Sequence, residues 1–191
     1  MRKGVAGHAR LAKLWMIGSA CPMMGMRAVA MMGMMGAAMI AAPAGARDSL
    51  GVFDSWGAFR DPDVPRCFAV AQPASRSASV TSRWRPFAAV GSWPRANVRG
   101  QVHIRLSREI AARSPLTLSI GEQRFTLVGG GADAWAPDRQ SDAAIVAAMR
   151  SAPSMSITAR SRTGAGFADT YRLRGAATAI DAAALGCGRL R

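Results

Sequence analysis

Residues 115–127 read PLTLSIGEQRFTL, and their alternation decides the fold class. Leu116, Leu118 and Ile120 share one side of an extended chain, because successive side chains of a strand point to opposite faces. Gly121 to Gln123 interrupt the pattern as a turn, and Phe125 and Leu127 resume it, so the stretch is expected to be a β-hairpin. The same period recurs on both sides. In GQVHIRLS, residues 100–107, Val102, Ile104 and Leu106 oppose His103 and Arg105. SMSITARS, residues 154–161, alternates through Met155, Ile157 and Ala159, and FADTYRLRG, residues 167–175, places Phe167, Tyr171 and Leu173 on one side. VFDSWGAF, RCFAVAQP and PFAAVGSW are shorter strand candidates upstream, and the polar stretch from Ser75 to Arg83 is expected to be a loop.

Two segments switch to a helical period. Ser141 and Asp142 can cap AAIVAAMR, which lines up Ile145, Val146 and Met149. AATAIDAAAL is Ala-rich, and Gly186 is expected to end it as a C-cap. Strands outnumber helices and no βαβ rhythm appears. The fold class is therefore mainly β: an antiparallel sandwich or rolled sheet with two short packed helices.

The first 46 residues have a different composition. They hold ten of the twelve Met and both Lys, with no Asp or Glu. After Arg27 comes the uncharged run AVAMMGMMGAAMI and then AAPAGA, with Ala44 and Ala46 at the −3 and −1 positions of a cleavage site. A basic segment, a short apolar run and small residues form a secretory signal peptide. Residues 1–46 are thus read as a cleaved leader and residues 47–191 as a single β-rich domain starting at Arg47. The apolar run is shorter than the ~20 residues a spanning helix needs, so no transmembrane segment is expected after cleavage. Two other readings stay open: an uncleaved anchor, and a lipoprotein whose lipid-bearing residue is Cys21. A start at Met24 or Met26 would give a leader of ordinary length.

Cleavage would leave twenty basic residues, all Arg, against 11 acids, a net charge near +9. Such an excess favours anionic partners, although Arg without Lys also fits compositional drift in a GC-rich genome. The expected partners are anionic envelope components or another envelope protein, with no nucleic acid. Arg83, Trp84, Arg85, Trp93, Arg95 and Arg99 are the anion-binding candidates, since aromatics interleaved with arginines suit phosphate-bearing ligands. Trp56 and Trp135 are assigned to the core.

Cleavage would also remove Cys21 and leave Cys67 and Cys187, an even pair that reads as a disulfide in an exported protein. Two separate buried thiols are the other reading.

Catalytic signals are sparse. His103 is the one histidine after residue 46 and falls on the polar face of a strand, where a solvated residue is expected. No serine lies in a G-x-S-x-G context, and one His with two distant cysteines has no metal-ligand spacing. Asp61 and Asp63 suit a turn, and Gly129 to Gly131 a flexible connection without the Lys of a phosphate loop. No enzyme activity, cofactor or metal is expected. The alternative is a periplasmic or secreted hydrolase using His103 with Glu109 or Asp169.

Several segments together carry a family resemblance: WGAFRDPDVPRCFAVAQP, LTLSIGEQRFTLVGGGADAWAPD and DAAIVAAMRSAPSMSITARSRTGAGFADTYRLRGAATAIDAAALGC. In order they give an Arg-Cys, an Ala-Trp before a capped helix, an Ala-Met-Arg, an Asp-Thr-Tyr strand, a Leu-x-Gly, an Ala-rich helix and a terminal Cys. This resembles the divergent alphaproteobacterial branch of the invasion-associated locus B family, over residues 55–190. The resemblance implies export to the cell envelope, a β-rich domain and no known catalytic machinery. The chain departs from better-known members in lacking a Cys just after Trp56 and a central Cys pair.

Overall fold

The computed structural model describes residues 47–61, 63–74 and 85–188. The leader, Cys21, the polar loop of residues 75–83, Arg83 and Trp84 lie outside the described residues.

The described residues form one antiparallel sheet with two helices. Its strands are β1 (Asp48–Phe53), β2 (Trp56–Asp61), β3 (Arg66–Ala71), β4 (Phe87–Trp93), β5 (Val98–Arg105), β6 (Leu116–Ile120), β7 (Gln123–Gly130), β8 (Asp133–Trp135), β9 (Ser154–Arg160) and β10 (Gly166–Arg172). Helix α1 spans Arg139–Met149 and α2 spans Ala176–Cys187. The strand order is β1-β2-β3-β4-β5-β8-β7-β6-β9-β10, which leaves β1 and β10 as edges of an open sheet. VFDSWGAF is therefore two strands rather than one, with Asp54 and Ser55 as the turn between β1 and β2.

The hairpin at 115–127 forms as its alternation dictates. Leu116, Leu118 and Ile120 are buried, and Gly121, at φ 57°, takes the turn position where an L side chain would be strained. Strand β7 is where the sheet changes partner: residues 123–127 pair with β6, and residues 128–130 pair with β8. Gly129 and Gly130 are thus strand residues rather than a flexible connection. Gly129 has no room for a side chain, because a Cβ there would run into the carbonyl oxygen of Asp133 and the side chain of Leu116.

The buried sides of the strands and one stripe of each helix make a single core. Helix α2 packs on β1 to β4, and α1 packs on β5, β6 and β7. The buried stripe of α2 is Ala176, Ala179, Ile180, Ala183 and Cys187, spaced three or four apart. Small residues, Ala58, Ala69, Ala71 and Ala88, are buried on the strands beneath. Rolling of the sheet brings its ends together. The Trp56 indole N–H donates to the Arg172 carbonyl at 2.8 Å, and Ala74 N–H to the Thr170 carbonyl at 2.7 Å.

Several local expectations change. Asp138 rather than Ser141 or Asp142 caps α1, its carboxylate accepting from Ser141 N–H at 2.7 Å. Asp142 turns inward, accepts from Val102 N–H at 2.8 Å and so pins α1 to β5, while burial pushes its carboxyl up. Helix α2 runs past Gly186 to Cys187, with Gly188 as the C-cap. Gly186 is instead a contact point, since a Cβ there would meet the Leu50 side chain. Trp135 is only half-buried, whereas Trp56 is fully buried. Asp169 joins Tyr171 and Leu173 in the buried set and accepts from Ser107 N–H at 2.8 Å, while Phe167 is half-buried.

Candidate functional site

The sheet face turned away from the helices is chemically uneven. On β6 and β9 the residues alternating with the core are Thr117, Ser119, Ser156 and Thr158, as a solvated face requires. On β2 to β5 the corresponding positions carry Phe59, Phe68, Phe87, Trp93 and His103, and β8 adds Trp135. All six rings are half-buried. Cross-strand register assembles them: Phe59 sits opposite Phe68, and His103 opposite Trp135.

Five of them line a trough of about 420 Å³, with Phe59, Phe68, Phe87 and Trp93 as its aromatic walls, His103 beside them and Gln101, Ala89 and Gly91 between; Trp135 stacks behind His103. That volume lies in the range of small-ligand sites. The rings support one another. Phe59 and Phe68 stack with centroids 5.6 Å apart, Phe87 meets His103 edge-on at 5.1 Å, and His103 lies flat on Trp135 at 5.0 Å. Cations cover the ring faces: the Arg66 guanidinium is 5.1 Å from the Phe68 centroid, Arg47 is 5.8 Å from it, and Arg105 is 5.9 Å from that of Phe87.

Asp133 anchors one end of the trough. It accepts from His103 Nε2 at 2.8 Å and from both Nε and Nη2 of Arg105, at 2.9 and 3.1 Å. Burial opposes its charge, yet the bonds from Arg105 and His103 outweigh burial and hold the carboxyl below its usual range. A carboxyl lowered on folding adds stability that is present above the ordinary carboxylate value and is lost as pH falls through the folded value. Asp133→Asn is therefore expected to melt below the wild type at pH 7, with the gap closing below about pH 4. A gap that stays constant to pH 2 in melting curves would contradict this role.

Of the anion-binding candidates among the described residues, Trp93, Arg95 and Arg99 do not converge. Trp93 is in the trough, while Arg85 lines an adjoining hollow that shares Phe59, Val70 and Phe87 with it. Arg99 lines a groove between α1 and α2 on the other side of the sheet, and Arg95 is exposed in the 3-10 turn Pro94–Ala96. His103 is not a free solvated residue, being stacked, bonded and half-buried. Its carboxylate partner is Asp133, not Glu109 or Asp169. Glu109 pairs with Arg162, and Asp169 binds Ser107 N–H. Among the described residues no Ser, Thr or Cys lines the trough.

Cys67 of β3 and Cys187 of α2 are brought to disulfide distance, with Cα atoms 5.6 Å apart. Among the described residues no group of three or more His, Cys, Asp or Glu could hold a metal ion, and no helix is long and apolar enough to cross a membrane.

No protein-family model and no curated protein matches the sequence. Among solved structures, the chain is similar to invasion associated protein B from Bartonella henselae. The TM-score is 0.46 and the identity 15%, over 73% of this chain and 97% of that one.

Proposed function

We propose that this chain is an exported cell-envelope binding module of the invasion-associated locus B type, and that it binds through the aromatic trough on the open face of β2 to β5. The observation that carries the reading is the unevenness of that face. Where β6 and β9 show Ser and Thr to solvent, β2 to β5 hold aromatic rings roofed by arginines. Export is supported by the composition of residues 1–46 and by a cysteine pair of the kind that forms in an oxidising compartment. The order of motifs from Trp56 to Cys187 supports the family.

The trough suits a ligand with a flat apolar face, because its rings offer stacking area, while Arg47 and Arg66, paired with Asp61, and Arg105, paired with Asp133, leave only the remaining N–H groups of each guanidinium for acidic groups of the ligand. Phosphorylated lipopolysaccharide has that chemistry in the periplasm. It is expected to quench the tryptophan fluorescence of the purified domain saturably, with affinity falling as salt rises. Replacing Phe68 and Trp93 together by Ala should weaken binding at least about tenfold, the loss typical of a central aromatic anchor. Full affinity in that variant would remove the trough as the site.

The hydrolase reading rests on the imidazole oriented by Asp133. His103→Gln separates the two: a hydrolase loses turnover, while a binding module keeps its ligand.

A further inference from the structure

A second concavity, independent of the trough, lies between α1 and α2. Its volume is about 340 Å³, and its lining mixes an apolar floor with cations. Val90, Val146, Ile180 and Ala183 give the floor, while Arg99, Arg139 and Arg150 give the charge, with no Asp or Glu among the described residues of the lining. The three arginines are not equivalent. Arg150 is neutralised by Asp181 through two bonds, at 3.0 and 2.6 Å. Arg139 donates only to the Asn97 carbonyl, at 3.0 Å. Among the described residues, neither Arg99 nor Arg139 forms an ion pair, and both are exposed. The groove therefore has uncompensated positive charge at its mouth and apolar surface at its base.

We propose that this groove binds a single-chain amphiphile with an anionic head, Arg99 and Arg139 holding the head and the floor taking the alkyl chain. A small inorganic anion would leave the apolar floor wet, and an uncharged chain would leave two guanidiniums with no countercharge. One ligand carrying both properties satisfies both surfaces. Guanidinium accepts carboxylate and phosphate alike as a pair of oxygens, so the shared chemistry is the two-oxygen anionic head.

The test is isothermal titration calorimetry of the purified domain with octanoate, decanoate, dodecanoate and dodecyl phosphate, each below its micelle concentration. One-to-one binding is expected, tightening from octanoate to dodecanoate by up to roughly fourfold per methylene buried. A preference for dodecyl phosphate over dodecanoate would assign the head to phosphate, and the reverse preference to carboxylate. Dodecyl maltoside, with the same chain and no charge, should bind at least about tenfold more weakly. The double substitution Arg99→Gln/Arg139→Gln should cost at least about tenfold for both anionic probes, and Ala143→Trp, which narrows the groove at an exposed position, should block them. Phe59→Ala, which alters the trough and has no chain neighbour in the groove lining, should leave this binding unchanged, so failure of either site is read separately. Absence of saturable binding, equal binding of the maltoside, or full affinity in the double variant would overturn the proposal. Association with anionic vesicles without binding of the monomeric probes would also overturn it, as surface attraction alone.

Discussion

Cys187→Ser is expected to lower the melting temperature by roughly 10–15 °C. The two cysteines are 120 residues apart in sequence, so the bond would tie the last turn of α2 to the third strand. Cross-linking a loop of that length removes about 4–5 kcal/mol of disorder from the unfolded chain in the chain-entropy account. For a domain near this size each kcal/mol is worth about 2–4 °C. The helix adds a second reason. Its buried stripe is mostly Ala, which offers little apolar area per residue, so the covalent tie supplements weak packing. Thermal melts of oxidised wild type, reduced wild type and the single variant decide the matter. Reduced wild type and the variant should melt together, well below the oxidised form, and denatured oxidised protein should show no free thiol. Two titratable thiols in that sample would refute the bond.

Trp56→Ala should be nearly as damaging, costing about 3–5 kcal/mol. The side chain is fully buried in β2, and its indole N–H donates to the carbonyl of Arg172 at the end of β10. It therefore fills core volume and links strands from opposite ends of the sheet, where no ladder joins them. Trp56→Phe keeps most of the ring and loses the hydrogen bond, so it should cost only about 1–2 kcal/mol. Trp93→Ala removes a half-buried ring from the outer face and should shift stability less than Trp56→Ala. Chemical denaturation of the three variants gives the order, and equal losses at positions 56 and 93 would contradict the assignment of Trp56 as the link.

Which segments are strands was legible because the signal is local. Leu116, Leu118 and Ile120 alternate within five residues, and Met155, Ile157 and Ala159 within another five, so period alone assigns their buried side. The pairing of Cys67 with Cys187 was legible for a different reason, since reading residues 1–46 as a cleaved leader leaves no other partner. Helix limits were less so. Asp138, Ser141 and Asp142 all have cap chemistry, and the choice depended on Asp142 finding the Val102 amide of a strand 40 residues away.

The trough was not legible, because β3 and β4 are apolar on both faces and show no alternation that separates core from binding surface. Phe59, Phe68, Phe87, Trp93, His103 and Trp135 become neighbours only through the register of five strands. Trp93 and Arg99 fail to come together for a related reason. Trp93 and Arg99 are six residues apart, yet the turn at Pro94–Ala96 lies between them, and they line cavities on opposite faces of the sheet. The sequence alone thus determined most of the strands and the two helices, because periodicity is a property of the chain itself, and the cysteine pair once residues 1–46 are read as a leader. Which side chains face a common cavity was decided only by tertiary structure, because that depends on pairing between residues that sequence proximity does not relate.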